Sequence, residues 1–168
     1  AASDVYKRQN ISIVTCNKIA NSGKYEQYKS LHDTARKYGV DFFYETNVGA
    51  GLPIVRVLKD LMMSGDRIIR IEAILSGTIS YIFNNFKDDA SFYDVVMKAQ
   101  ELGYTEPDPR DDLGGVDFMR KMLILARDAG HAIESEDVDL GAILPEACLK
   151  ADSAVSYTHL TLPTKRIV

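Results

Sequence analysis

Cysteine is scarce in this chain, with two among 168 residues, Cys16 and Cys148. They lie far apart and not in CxxC spacing, so neither a disulfide framework nor a thiolate zinc site has support. Two free thiols fit a reducing compartment, and a cytoplasmic setting is expected. No apolar run approaches the ~18 residues of a membrane span, and no secretory signal opens the chain. A basic excess is also missing. Twenty Lys and Arg against 24 Asp and Glu give a net charge of −4, which argues against a nucleic-acid partner. Internal repeats and low-complexity tracts are absent. What remains is 46% hydrophobic and 26% charged, with regularly spaced aliphatic residues, as in a globular α/β-type protein rather than a disordered one.

The two ends fit nothing around them, yet they fit each other through the genetic code. AASDVYKRQ at 1–9 can be encoded by a DNA segment whose reverse complement, in a shifted frame, reads VSYTHLTL, the residues at 155–162. The string also resembles a transposon-end sequencing adapter. Residues 1–9 and 154–168 are therefore set aside as adapter-encoded. Without Asp4, Lys7, Arg8, Lys165 and Arg166 there remain 16 basic and 23 acidic residues, a net of −7. Segment 10–153 is expected to be an internal piece of a longer protein.

Along that segment, the β-branched stretch 11–15 predicts a short buried strand. A helix is predicted over 25–38, with Gly39 to end it, then a second strand over 41–45. Pro53 is placed to open a helix reaching about Met63, and 67–75 alternates as a mostly buried strand. Helices follow from Ser76-Gly77-Thr78, from Ser91 (a capping-box-like start with Asp94) and over 116–129, closed by Gly130. Residues 103–115 read as a loop, and 133–144 as irregular or strand. This order predicts an α/β or α+β domain, a sheet with helices packed on one face.

The most informative stretch is GYTEPDPRDDLGG at 103–115. Glu106, Asp108, Asp111 and Asp112 gather four carboxylates around Arg110, between prolines that stiffen the backbone. Such a loop suits a cation, for instance a substrate ammonium; by composition alone a solvated acidic loop with Arg110 in surface pairs reads equally well. No His joins these carboxylates and the spacing is not that of a calcium loop. Asp117 and Lys121 lie four apart on one helix face, either an ordinary ion pair or a lysine held for general acid–base work. In the Gly49–Pro53 turn, Pro53 breaks the GxGxxG pattern, leaving a tight turn able to present carbonyls to a small cation. His32 and His131 read as structural or exposed, and no GxSxG elbow occurs.

Asn17-Lys18, ETNVGAGLP at 45–53, LSGTISYIF at 75–83 and GYTEPDPRDDL at 103–113 with Asp117 and Lys121 resemble homoserine dehydrogenase in order and spacing. The resemblance covers essentially all of 10–153, and the ETNVGAGLP form resembles the bifunctional aspartokinase–homoserine dehydrogenases. It implies interconversion of L-homoserine and L-aspartate 4-semialdehyde with NAD or NADP, in threonine and methionine synthesis. By the same resemblance Lys121 exchanges the hydroxyl proton, Lys18 assists and contacts the cofactor beside Thr15, and Asp117 orients the lysine. Glu106 and Asp112 bind the substrate, with Tyr104, Gly77 and Thr78 lining its pocket. Glu45, Val48, Ala50 and Leu52 correspond to a monovalent-cation site for sodium or potassium, the last three through carbonyls.

The resemblance further implies that 10–20 ends a Rossmann-type dinucleotide-binding domain and that 21–153 is the catalytic and dimerisation domain of a homodimer or higher homo-oligomer. The Gly-rich dinucleotide loop is not in this chain, so the chain alone is expected to be inactive. The competing reading is a non-catalytic amino-acid-binding or regulatory domain. It needs the carboxylates but neither Lys18 nor Lys121, and both are present.

Overall fold

A computed structural model describes residues 2–87 and 91–141. Cys148, the 154–168 tail and the end of the 133–144 segment lie outside them. The chain divides into two compact units: one holds residues up to Leu75 together with Met119–Asp139, and the other holds Ser76–Phe118.

The first unit contains a βαβ element. Strand β1 (Ile13–Val14) runs parallel to β2 (Phe42–Phe43), pairing Ile13 with Phe42 and Val14 with Phe43. Parallel strands need a crossover, and α3 (Tyr25–Tyr38) supplies it, preceded by the short α2 (Ile19–Ser22). Gly39 ends α3 in the left-handed conformation at φ 61°, where a side chain is disfavoured. Ile13 and Phe42 face inward, whereas Val14 (81% exposed) and Phe43 (54%) leave the other sheet face open. The helices thus cover one face. A further helix, α1 (Ala2–Arg8), falls in the stretch set aside from the sequence. Its buried Lys7 donates to Leu31 O at 3.1 Å and sits 3.4 Å over the Phe42 ring.

Several predicted elements are corrected here. The 11–15 strand shrinks to two residues and is not buried, because β2 is its one neighbour among the described residues. The 41–45 strand stops at Phe43, and Glu45–Asn47 turns as a 3₁₀ helix. Pro53 stands at the cap rather than inside α4 (Ile54–Met63). Segment 67–75 forms no ladder among the described residues. Ile68, Ile71 and Leu75 anchor it to the core, while Ile69 and Ile74 point outward at 94% and 76% exposure. Alternation alone does not make a strand without a neighbour to accept its hydrogen bonds.

The core of this unit forms where α4 meets the C-terminal half of α8 (Val116–Asp128). Val55 and Leu58 pack with Ile124, Leu125, Tyr44 and Val48, all buried. Each such aliphatic side chain contributes roughly 1.5–3 kcal/mol by leaving water.

The second unit packs α5 (Gly77–Asn85), α6 (Phe92–Glu101) and α7 (Pro109–Leu113) around Ile82, Val95, Val96, Ala99 and Leu113. Ser76 caps α5 by accepting from Ile79 N at 3.2 Å. Ser91 stands at the cap of α6 but makes no side-chain cap bond, so the expected capping box does not form. The 103–115 stretch is not all loop. Asp108 accepts from Arg110 N at 3.0 Å and Pro109 takes the first helical position, which closes one turn as α7.

Candidate functional site

In the second unit, Thr78, Tyr104, Glu106 and Asp112 come together. Thr78, buried in the first turn of α5, lies 2.5 Å from Tyr104 O and 3.2 Å from Asp112 Oδ1. Its single hydroxyl hydrogen favours the shorter contact. The other Asp112 oxygen accepts from Glu106 N at 2.8 Å. Asp112 therefore ties the 104–106 backbone to α7, and Thr78 ties it to α5. Tyr104 is half exposed and rests against Tyr81, ring centroids 4.8 Å apart. The Glu106 side chain is exposed. Gly77 opens α5 with open space where a Cβ would project. Thr105 Oγ1 is buried and lacks a hydrogen-bond partner.

The four carboxylates do not converge on Arg110. Its guanidinium pairs with Asp108 at 2.5 Å, and these bonds hold the Asp108 carboxyl below the usual range. Asp112 faces Thr78 and Glu106 N instead, and Asp111 is exposed. The loop is divided between a local ion pair and a clamp.

In the first unit lie Thr15, Lys18, Glu45, Val48, Ala50, Leu52 and Lys121. Lys121 Nζ donates to Leu75 O at 2.7 Å, which orients the end of the side chain. Asp117 sits one turn earlier on α8, on the part of that helix assigned to the other unit. Lys18 precedes α2, its carbonyl accepting from Asn21 N and Ser22 N. Thr15 Oγ1 accepts from Asn17 N at 3.1 Å, and Asn17 Oδ1 from Ile19 N at 2.8 Å.

Glu45 caps α4. Its two oxygens accept from Val55 N and Arg56 N, each at 2.9 Å, placing negative charge at the positive end of the helix. The following turn contains two left-handed residues, Gly49 at φ 81° and Ala50 at φ 52°. Ala50 stores strain of about 1–2 kcal/mol there. No cluster of three His, Cys, Asp or Glu side chains suited to a metal occurs among the described residues, so a cation at this turn depends on carbonyls.

The sequence reading passed over Arg127, Asn21, Asn47 and Asp128, and His32, read there as structural or exposed, is partly buried. Arg127 is fully buried on α8 and donates to Asn21 O at 2.9 Å, Gly23 O at 2.7 Å and Ile133 O at 3.0 Å. Asn21 and Asn47, both fully buried, bond to each other at 3.0 Å. His32 stacks within Tyr28, Phe42 and Tyr44, and burial pushes its pKa down to about 3. Asp128 accepts from Tyr28 and Tyr44 hydroxyls at 2.9 and 2.7 Å, and burial raises its pKa.

Residues 53–162 match the family model of homoserine dehydrogenase. The chain belongs to the homoserine dehydrogenase family. A chloroplastic bifunctional aspartokinase/homoserine dehydrogenase of Arabidopsis thaliana is 51% identical over 93% of this chain. The chain spans 17% of that relative's length. A crystal structure of a Candida auris protein of unknown function has 38% identity and a TM-score of 0.85, over 94% of this chain and 47% of the other. A hyperthermophilic archaeal homoserine dehydrogenase in complex with NADPH has 32% identity and a TM-score of 0.67, over 77% of this chain and 40% of the other. Homoserine dehydrogenase membership agrees with the helix-rich α/β architecture. No helix among the described residues is long and apolar enough to cross a membrane.

Proposed function

We propose that this chain supplies the substrate-binding and proton-transfer groups of an enzyme that interconverts L-homoserine and L-aspartate 4-semialdehyde with NAD or NADP. The observation that carries the reading is the cluster Thr78–Tyr104–Asp112–Glu106, a rigid cradle with one exposed carboxylate, in a chain that also holds Lys18 and Lys121. Glu106 binds the substrate ammonium. Asp112 sets the position of Glu106 through one oxygen, which accepts from Glu106 N, and faces the substrate with the other. Lys121, as the neutral amine, takes the hydroxyl proton of homoserine as hydride leaves the carbon and becomes the ammonium, which returns that proton in the reverse direction, so that charge does not accumulate on oxygen. Its bond to Leu75 O aims the amine beforehand. Asp117 orients Lys121, while Lys18 assists and, with Thr15, faces the cofactor. The nicotinamide, when bound, accepts or donates the hydride.

The carbonyls of Val48, Ala50 and Leu52 with Glu45 make an all-oxygen donor set that suits sodium or potassium. Each Glu45 oxygen accepts one N–H and keeps a lone pair for such an ion. Residues 10–20 end the cofactor domain and 21–153 form the catalytic domain. The parent enzyme assembles as a homodimer or higher homo-oligomer, a reading supported by exposed Ile69 and Ile74. A cytoplasmic or chloroplast setting suits the exposed free thiol of Cys16.

The test is homoserine oxidation by the intact enzyme, followed through the reduced nicotinamide. Lys121→Ala lowers kcat by about 10²–10⁴-fold, the usual worth of a general acid–base group. Glu106→Gln chiefly raises KM for homoserine. An intact enzyme that binds homoserine but never oxidises it replaces this reading with the amino-acid-binding domain.

A further inference from the structure

The turn carrying Lys18 is polar and exposed at Cys16 and Asn17, yet both of its ends are tied to one buried side chain. Asn47 Nδ2 donates to Thr15 O at 3.3 Å, ahead of the turn. Asn47 Oδ1 accepts from Asn21 Nδ2 at 3.0 Å, behind it. A single amide therefore spans the segment from Thr15 to Asn21, with Lys18 between its two points of attachment.

The amide orientations follow from the network. Asn21 Oδ1 lies 3.3 Å from His32 Nε2 and is an acceptor only, so the imidazole donates from Nε2. This is consistent with the buried, low-pKa state of His32. The chain of donation runs His32 to Asn21 to Asn47 to Thr15 O without a mismatch. Arg127 holds the rear of the turn from α8 through Asn21 O and Gly23 O. The turn is thus built like a bracket whose interior bonds, Asn17 N to Thr15 Oγ1 and Ile19 N to Asn17 Oδ1, are local, while its feet are buried and distant in sequence.

We propose that Asn47, oriented through Asn21 and His32, is a positioning residue that holds Lys18 for its part in the reaction. The inference rests on the dehydrogenase reading above. It also explains why two amides are buried against each other, where an unpaired amide is costly.

Asn47→Asp keeps the size and the oxygen facing Asn21, but puts an acceptor against Thr15 O. In the intact enzyme this variant lowers kcat per folded molecule by about tenfold to a hundredfold, as expected for a catalytic group displaced by a fraction of an ångström to one ångström. KM for homoserine, set by Glu106 and Asp112, stays unchanged. Backbone amides of residues 17–22 exchange faster with solvent. A core truncation, Leu58→Ala, serves as the control for lost stability: it lowers the melting temperature while leaving kcat per folded molecule intact.

Three results overturn the proposal. In the first, Asn47→Asp retains kcat within about twofold. In the second, Leu58→Ala lowers kcat as much as Asn47→Asp does. In the third, exchange at 17–22 is the same in wild type and Asn47→Asp, which removes the bracket whatever the activity. A wild-type enzyme inert toward homoserine instead defeats the dehydrogenase reading, and the positional role falls with it.

Discussion

The Lys18 turn and the 103–115 loop both present polar groups at a site, but they are held in opposite ways. The loop is pinned mostly from nearby: Asp108 caps α7 two residues away, Arg110 pairs with that same Asp108, and Asp112 reaches Glu106 six residues back, while Thr78 on α5 adds a tie to Tyr104 O. The Lys18 turn is pinned from afar, by Asn47 and by Arg127 more than a hundred residues on. Local pinning uses half-exposed charges and proline stiffness, whereas distant pinning uses buried amides and a buried guanidinium. The first leaves Glu106 accessible to a ligand. The second holds the backbone that carries Lys18.

The sharpest way to break that contrast is to remove one arginine from each. Arg127→Ala leaves the carbonyls of Asn21, Gly23 and Ile133 without their donor in a buried place, and removes the cation beside the Tyr25 and Tyr28 rings. At roughly 1–3 kcal/mol for each buried group left unpaired, partly recovered by entering water, the loss is about 4 kcal/mol. Arg110→Ala, by contrast, costs about 1 kcal/mol or less, because its partner Asp108 is 37% exposed. Chemical denaturation of the two variants measures both. Equal losses would mean that the two regions are not held differently.

How much of this was legible in sequence follows from the same contrast. Gly39 after α3, the Ser76 cap of α5, and the Asp-Pro start hidden in DPRDD are local signals, set by residues one to four apart. The first two were readable as they stood. The third was missed because four carboxylates around one arginine drew the eye to charge rather than to capping. Glu45 was taken only as a cation ligand, since its capping partners Val55 and Arg56 are ten and eleven residues away. Strand readings failed at 11–15 and 67–75 for a physical reason. An alternating pattern specifies faces, whereas burial and pairing depend on a neighbour that no local window contains. Asn21 and Arg127 gave no signal, and Asn47, though inside ETNVGAGLP, gave none of its own, since the meaning of these polar residues comes from tertiary contact.

A second difference between the regions is their response to acid. His32 has its pKa pushed down to about 3 from an ordinary 6.5, chiefly by burial and secondarily by Lys59, Lys7 and Arg36, with Asp33 opposing. The unfolded chain therefore binds a proton that the folded chain refuses. Stability is full above about pH 6.5 and falls as pH drops toward 3, by roughly 1.4 kcal/mol per unit, or about 3 kcal/mol by pH 4. Asp128 acts in the reverse sense. Burial raises its pKa against Lys59, Tyr28 and Tyr44, so its protonation in acid favours the folded state and offsets part of the loss. His32→Gln keeps a donor for Asn21 and removes the titration. Unfolding curves between pH 7 and 4 should show the variant losing markedly less stability than wild type. Identical pH dependence would free His32 from the buried role assigned to it.

The smallest effect on stability belongs to Gly77, and it is the most useful for function. Gly77 is the first residue of α5, its φ is not in the left-handed region, and none of the described residues comes within 4 Å of where a Cβ would stand. Alanine there meets no clash within the chain and improves helix propensity, so Gly77→Ala changes stability by less than about 1 kcal/mol and in the favourable direction. The added methyl would project into open space beside Thr78, where the substrate is proposed to sit. Any rise in KM for homoserine must then come from the ligand and not from the fold. A Gly77→Ala enzyme of unchanged stability with a KM raised about tenfold places substrate against the start of α5. One with unchanged KM shows that the substrate keeps clear of that helix, and that Gly77 serves only the backbone.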